Sequence, residues 1–198
     1  SDVCSSDLAA RSESPNVAAL PLIIDTHQHL WGGAKLKMPW LKTAPKVLQG
    51  VHDAKEYAAA TEGLNIRAVY MEVDAAPSDH DAEVEHVVRV CRNRKQATRA
   101  AVIGGRPADP NFIEYVKRHA QTGLVRGVRQ VLHGDDTKPG FCLQESFVKG
   151  IRALGEMGLS FDICIRPAEL GDAVKLADSC PNTRFVLDHC GKIGRAHV

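Results

Sequence analysis

The sequence predicts a parallel α/β fold of the (β/α)8 barrel type, truncated after about its sixth strand. Three observations point there. Six short apolar runs alternate with five helix-length stretches along the chain. The 198 residues fall short of the roughly 250 that a complete eight-unit barrel takes. An irregular insertion from Trp31 to His52, carrying Pro39-Trp40-Leu41, separates the first run from the first helical stretch, as a loop over a barrel mouth would.

The predicted strands are Leu22–His27, Ile66–Val73, Ala97–Ile103, Val125–Leu132, Leu159–Ile165 and Arg184–His189. Each is rich in Val, Ile, Leu or Phe, as a strand with a covered outer face must be. The predicted helices are Asp53–Gly63, Asp79–Asn93, Asn111–Thr122, Gln144–Gly158 and Pro167–Ser179. Apolar residues recur in them at helical spacing, for example Val84, Val87, Val88 and Cys91. Ser78-Asp79 and Asp109-Pro110 are start signals. An open, doubly wound sheet binding a nucleotide is the rival architecture. The Gly104-Gly105-Arg106-Pro107 turn has neither the dinucleotide nor the phosphate-loop glycine spacing, which speaks against it.

Composition narrows the function classes. A formal net charge of +1 leaves no electrostatic footprint for nucleic acid or an anionic membrane. No apolar run reaches the roughly 20 residues that span a bilayer. Six cysteines stand singly, with no C-x-x-C pair, as in a reduced, cytoplasmic chain whose cysteines fill core positions. The expected partner is a small-molecule substrate, with a homo-oligomer left open.

Both ends read as adapter-derived. Asp2–Leu8 and Ile193–Val198 can be written with one oligonucleotide and its reverse complement. Residues 1–8 and 193–198 are therefore expected to be tails outside a barrel domain at 9–192, and Cys4 and His197 drop out as candidates. A leader lost upstream fits the same reading.

The chemistry gathers at strand ends. In Asp25-Thr26-His27-Gln28-His29, the i, i+2 spacing turns both imidazoles to one face, roughly 6–7 Å apart along the strand, while Gln28 turns away. Imidazoles in that pattern suit zinc and similar ions. Leu187-Asp188-His189-Cys190-Gly191 ends an apolar strand in polar groups, making His189 a third ligand or a hydrogen-bond donor to a carbonyl. Arg129 and His133 share a face of the fourth strand. On the fifth, Asp162, Cys164 and Arg166 are expected inside, with Phe161, Ile163 and Ile165 against the helices. An arginine in such a cavity pairs with a carboxylate, of the protein or of a substrate. Tyr70, Glu72 and Asp74 are expected on one face of the second strand, with Glu72 a further candidate ligand or an orienter of a histidine. His52, His80, His86 and His119 are read as facing solvent.

Asp25-x-His27-x-His29, Pro39-Trp40-Leu41, Gly127-Val128-Arg129 and Leu187-Asp188-His189-Cys190-Gly191-Lys192, in that order, resemble the amidohydrolase superfamily. More narrowly, they are similar to its sugar-lactonase and 2-pyrone-4,6-dicarboxylate-lactonase branch. The resemblance implies a (β/α)8 barrel with its site at the C-terminal strand ends, and hydrolysis of a C–O or C–N bond by activated water. It implies His27, His29 and His189 as metal or substrate ligands, with zinc the expected ion. His189, Arg129 and Arg166 would be the catalytic groups, and Arg129, Arg166, His133 and Trp40 the substrate contacts. The general base would be an aspartate closing an eighth strand. The fourth strand has no terminal lysine for a two-metal centre, and Arg166 stands where many metal-dependent members have histidine, so a metal-independent lactonase stays in view. A related branch implies zinc-dependent, non-oxidative decarboxylation as the alternative activity.

Overall fold

The computed structural model describes residues 20–32, 35–134 and 136–191. The expected tails lie outside them. Six strands form one sheet: β1 (Ile23–Gln28), β2 (Ile66–Met71), β3 (Thr98–Gly104), β4 (Val125–Val131), β5 (Ser160–Cys164) and β6 (Arg184–Leu187). Five helices alternate with them: α1 (Ala54–Ala60), α2 (His80–Arg92), α3 (Phe112–Ala120), α4 (Glu145–Glu156) and α5 (Leu170–Ser179).

Every strand pairs in parallel with its neighbour in sequence, in the order β1 to β6. A doubly wound sheet would reverse its order at a switch point. No reversal occurs, so the winding is that of a barrel. The sheet also curls: the rings of His27, in β1, and His189, just past β6, have centroids 4.9 Å apart although four strands lie between them. Among the described residues the ring of strands is open between β1 and β6. Accordingly Ile23, Ile24, Val186 and Leu187 are 42–53% exposed on these edges, where inner strands bury such residues.

The main core lies between the sheet and its helices. Val84, Val87, Val88 and Cys91 are all buried, as the helical spacing of α2 requires. Phe161, Ile163 and Ile165 lie in this layer with Phe147 and Leu154 of α4. Gly127 is required where β4 meets β5, because a Cβ there would run into the Ser160 side chain. The start signals act in different ways. Asp53 caps α1, accepting from the amides of Lys55 and Glu56. Asp109 accepts from the Asn111 amide ahead of α3. Asp79 caps nothing; its carboxylate accepts from the Lys37 amide at 2.7 Å and ties down the long first loop.

Two expectations about faces fail. His80 and His119 are only 7% and 8% exposed, because α2 and α3 lean together over the end of β3. His119 meets Asp81 at 2.6 Å. On β2 the alternation stops at Met71: Tyr70 points back to Glu83 of α2, while Glu72 turns in to Arg129. Asp74 then adopts a left-handed φ of 50° and bends the chain away.

Candidate active site at the barrel mouth

The Asp25 carboxylate organises the first strand. It accepts the His27 backbone N–H at 3.0 Å and the Tyr57 hydroxyl from α1 at 2.9 Å. His27 and His29 then lie edge to face, ring centroids 4.9 Å apart. Gln28 is buried and accepts from the Thr98 hydroxyl of β3, across β2, where the β1–β2 register shifts between Asp25 and Gln28. His29 Nδ1 lies 3.1 Å from the Met71 carbonyl. A carbonyl only accepts, so Nδ1 carries the proton and Nε2 keeps its lone pair. Burial, helped by the Arg129 charge, pushes the His29 pKa down to about 4, and burial also lowers that of His27. Both rings are neutral near pH 7, the form that ligates metals.

The sixth strand contributes two adjacent residues. Strand alternation would put Asp188 and His189 on opposite sides, but both His189 and Cys190 have φ of 53°, so the chain coils as it leaves β6. Ligand atoms of His27, Asp188 and His189 consequently all lie within 4.8 Å of one another. His27 Nε2 is buried with no partner among the described residues. Two imidazoles, one of them with the orphaned nitrogen, and one carboxylate fit a divalent ion of the zinc type. Asp188 is the member that sequence reasoning missed; its adjacency to His189 was visible, the left-handed turn was not.

Glu72 and Arg129 form the buried frame beneath. Arg129 Nε donates to Glu72 Oε1 at 2.6 Å, Nη1 to Asp188 Oδ2 at 3.1 Å and Nη2 to the Glu72 carbonyl at 2.8 Å. Burial opposes the guanidinium's charge, but Glu72 and Asp188, with the other groups around it, together outweigh burial and the pKa moves up. Glu72 is thus a partner of Arg129, and it lies outside the His27, Asp188 and His189 group. Arg129 thus bonds two protein carboxylates while also bordering the cavity. One positive against two negative groups, with His27 and His29 neutral, leaves the cluster attractive to a cation.

Arg166 also departs from expectation. It pairs with Glu169 at 2.6 Å and donates to the carbonyls of Leu132, Gly134 and Thr137. It meets neither Asp162 nor the site, and instead pins the loop after β4. Asp162 points inward, and burial, with the Asp188 charge, raises its pKa to about 7.

A cavity of about 420 Å³ opens beside this cluster, bordered by His29, His189, Arg129, His133, Trp31 and Trp40. The two indole rings stand at 78° to each other, and Trp40 Nε1 donates to the Val73 carbonyl at 2.7 Å. Burial lowers the His133 pKa, so this ring faces the cavity uncharged.

Together these features define a (β/α)-barrel protein with an imidazole–carboxylate site at the C-terminal ends of its strands. The chain belongs to the amidohydrolase family, whose Amidohydro_2 profile matches residues 24–197. It is 30% identical to an amidohydrolase 2 from Bifidobacterium longum subsp. infantis, with a TM-score of 0.67 over 88% of this chain and 64% of that one. A zinc-bound amidohydrolase from Burkholderia multivorans is 21% identical, with a TM-score of 0.69 over 87% and 59% of the two chains. A probable 2-pyrone-4,6-dicarboxylic acid hydrolase from Acinetobacter baumannii, solved with citric acid bound, is 13% identical, with a TM-score of 0.66 over 85% and 58%. The chain thus spans less than two thirds of the length of each of these structures. Among the described residues no helix is long and apolar enough to cross a membrane.

Proposed function

We propose that the whole protein is a hydrolase that opens a lactone with water. The observation carrying this reading is the convergence of His27, Asp188 and His189 within 4.8 Å beside an aromatic-walled cavity. His27, Asp188 and His189 would hold a divalent ion, with His29 Nε2 at their side. When bound, that ion supplies Lewis-acid polarisation of a carbonyl oxygen.

The chain's own residues do the rest. Arg129 holds Asp188 in place, and Met71 holds the His29 ring through its carbonyl, so the groups are oriented before substrate arrives. Trp31, Trp40 and His133 would receive the ring of the substrate and shield it from bulk water. Both arginines are engaged within the protein, which favours an uncharged sugar-type lactone over a carboxylated one. The water-activating base is assigned, by the family pattern, to an aspartate on an eighth strand.

The test uses the full-length protein. It should hydrolyse neutral sugar lactones, and His27→Ala should abolish both that activity and zinc uptake measured by metal analysis. Retention of full activity in that variant sinks the proposal. Release of carbon dioxide in place of lactone opening would assign the decarboxylase reading.

A further inference from the structure

Helix α2 turns Val84, Val87, Val88 and Cys91 to the core, yet it also buries Glu83 to 1% exposure. An ionisable group in that position is expensive unless bonded. Glu83 Oε1 accepts from the Tyr70 hydroxyl at 2.7 Å and from the Val73 backbone N–H at 2.9 Å, whereas Oε2 is buried with no partner among the described residues. The Val73 N–H is a donor at the point where the sheet ladder ends. The Glu72 amide still bonds across the sheet, to the Val102 carbonyl, but β2 has ended and Asp74 turns away at φ 50°. Glu83 thus takes over where the sheet ladder stops. The other side of the same residue, the Val73 carbonyl, accepts from Trp40 Nε1 at 2.7 Å. A continuous path runs from the Glu83 carboxylate through one residue to the aromatic wall of the cavity.

We propose that Glu83 is a positioning residue for Trp40, and that gain of a proton by its carboxyl loosens the Val73 peptide and the indole seated on it. The ionised group can accept both bonds at Oε1. A proton on Oε1 would compete with the two donors, and a proton on Oε2 would weaken Oε1 as an acceptor while pointing at no partner. The groups facing Glu83 are Tyr70 and Glu72 at the end of β2, Arg129 on β4 and Tyr115 on α3. Burial and the like charge of Glu72 raise the carboxyl to about 7, against the hydrogen bonds from Tyr70 and Val73 and the Arg129 charge. The wall is therefore held above neutrality and released below it.

The consequence for substrate rests on the lactonase reading; the coupling of Glu83 to Trp40 does not, and the two are tested apart. Full-length protein labelled with 5-fluorotryptophan would be followed by ¹⁹F NMR from pH 5.5 to 8.5, with the Trp40 resonance identified by its loss in Trp40→Phe. We expect a single titration of that resonance with a midpoint near pH 7. Glu83→Gln should remove it, whereas His133→Gln and His189→Gln should leave it, which excludes direct sensing of a neighbouring imidazole. Tyr70→Phe removes a donor to the carboxylate and should move the midpoint upward by about one on the pH scale. Should Glu83→Gln fail to fold, the Val73 amide proton of the unsubstituted protein, which should follow the same midpoint, gives the same answer. A Trp40 resonance flat across the range, or one whose titration survives Glu83→Gln, overturns the proposal. With neutral lactones, KM should rise several-fold below pH 7 in the unsubstituted protein and not in Glu83→Gln; absence of any turnover would instead count against the lactonase reading alone.

Discussion

Replacing Arg129 by alanine in the full-length protein, stripped of metal with a chelator, should destabilise it by about 3–5 kcal/mol. The estimate follows from burial. The side chains of Arg129, Glu72 and Asp188 are 5%, 3% and 2% exposed, so the substitution strands two carboxylates that water cannot reach. That cost is a large part of the roughly 5–15 kcal/mol by which domains are stable. Glu72→Gln should cost less, because Arg129 keeps Asp188 as a partner. The double variant should cost less than the two single changes together, by about 1 kcal/mol or more, since both act on one network. Urea unfolding followed by circular dichroism measures all three. Additivity within about 0.5 kcal/mol, or an Arg129→Ala midpoint equal to that of the unsubstituted protein, would show that the three groups do not form one buried unit.

Three other outcomes follow from the same geometry. His29 takes up a proton at about 4 when folded and near 6.5 when unfolded, so the unfolded state binds more protons in between and stability falls as pH drops through that window. The loss is on the order of 3 kcal/mol in metal-free protein; His29→Gln should flatten this part of a stability–pH curve, and an unchanged slope would refute the assignment. Asp162, raised to about 7, acts in the opposite sense, holding its proton when folded, so its share of stability fades as pH rises from about 4 to 7; Asp162→Asn should be more stable than the parent above pH 7 by urea unfolding, and equal or lower stability there would contradict it. Expressed alone, the 198-residue chain should associate through β1 and β6, whose edges are unpaired and carry Ile24 and Leu187 at 53% and 44% exposure; a monodisperse monomer in light scattering at high concentration would count against this.

The barrel was legible because its signal is one of period and order. A strand covered by helices needs a run of apolar residues, and a helix over it needs them three and four apart. Both requirements are written locally, as in Phe161-Asp162-Ile163 or in Val84 to Cys91. The histidine pair was legible for the same reason, since residues two apart on a strand share a face whatever the rest of the chain does. That His189 would lie beside them needed only the assumption that the sheet curls, and its ring stands 4.9 Å from that of His27.

Charge pairing was not legible, and the reason is physical. Whether an arginine meets a substrate or a neighbour depends on which carboxylate lies within about 3 Å, and nothing local states that distance. Arg129 found Glu72, 57 positions away, and Arg166 found Glu169, three positions away. Asp188 escaped for a different reason. Left-handed φ values at His189 and Cys190, neither of them glycine, leave no mark in the residue types, yet they bring neighbours in sequence to the same side. Both oversights changed the chemistry. With Arg129 paired to both Glu72 and Asp188, those three groups together carry surplus negative charge at the mouth. That surplus suits the mouth to draw in a cation, which a bare reading of the arginines would not have suggested.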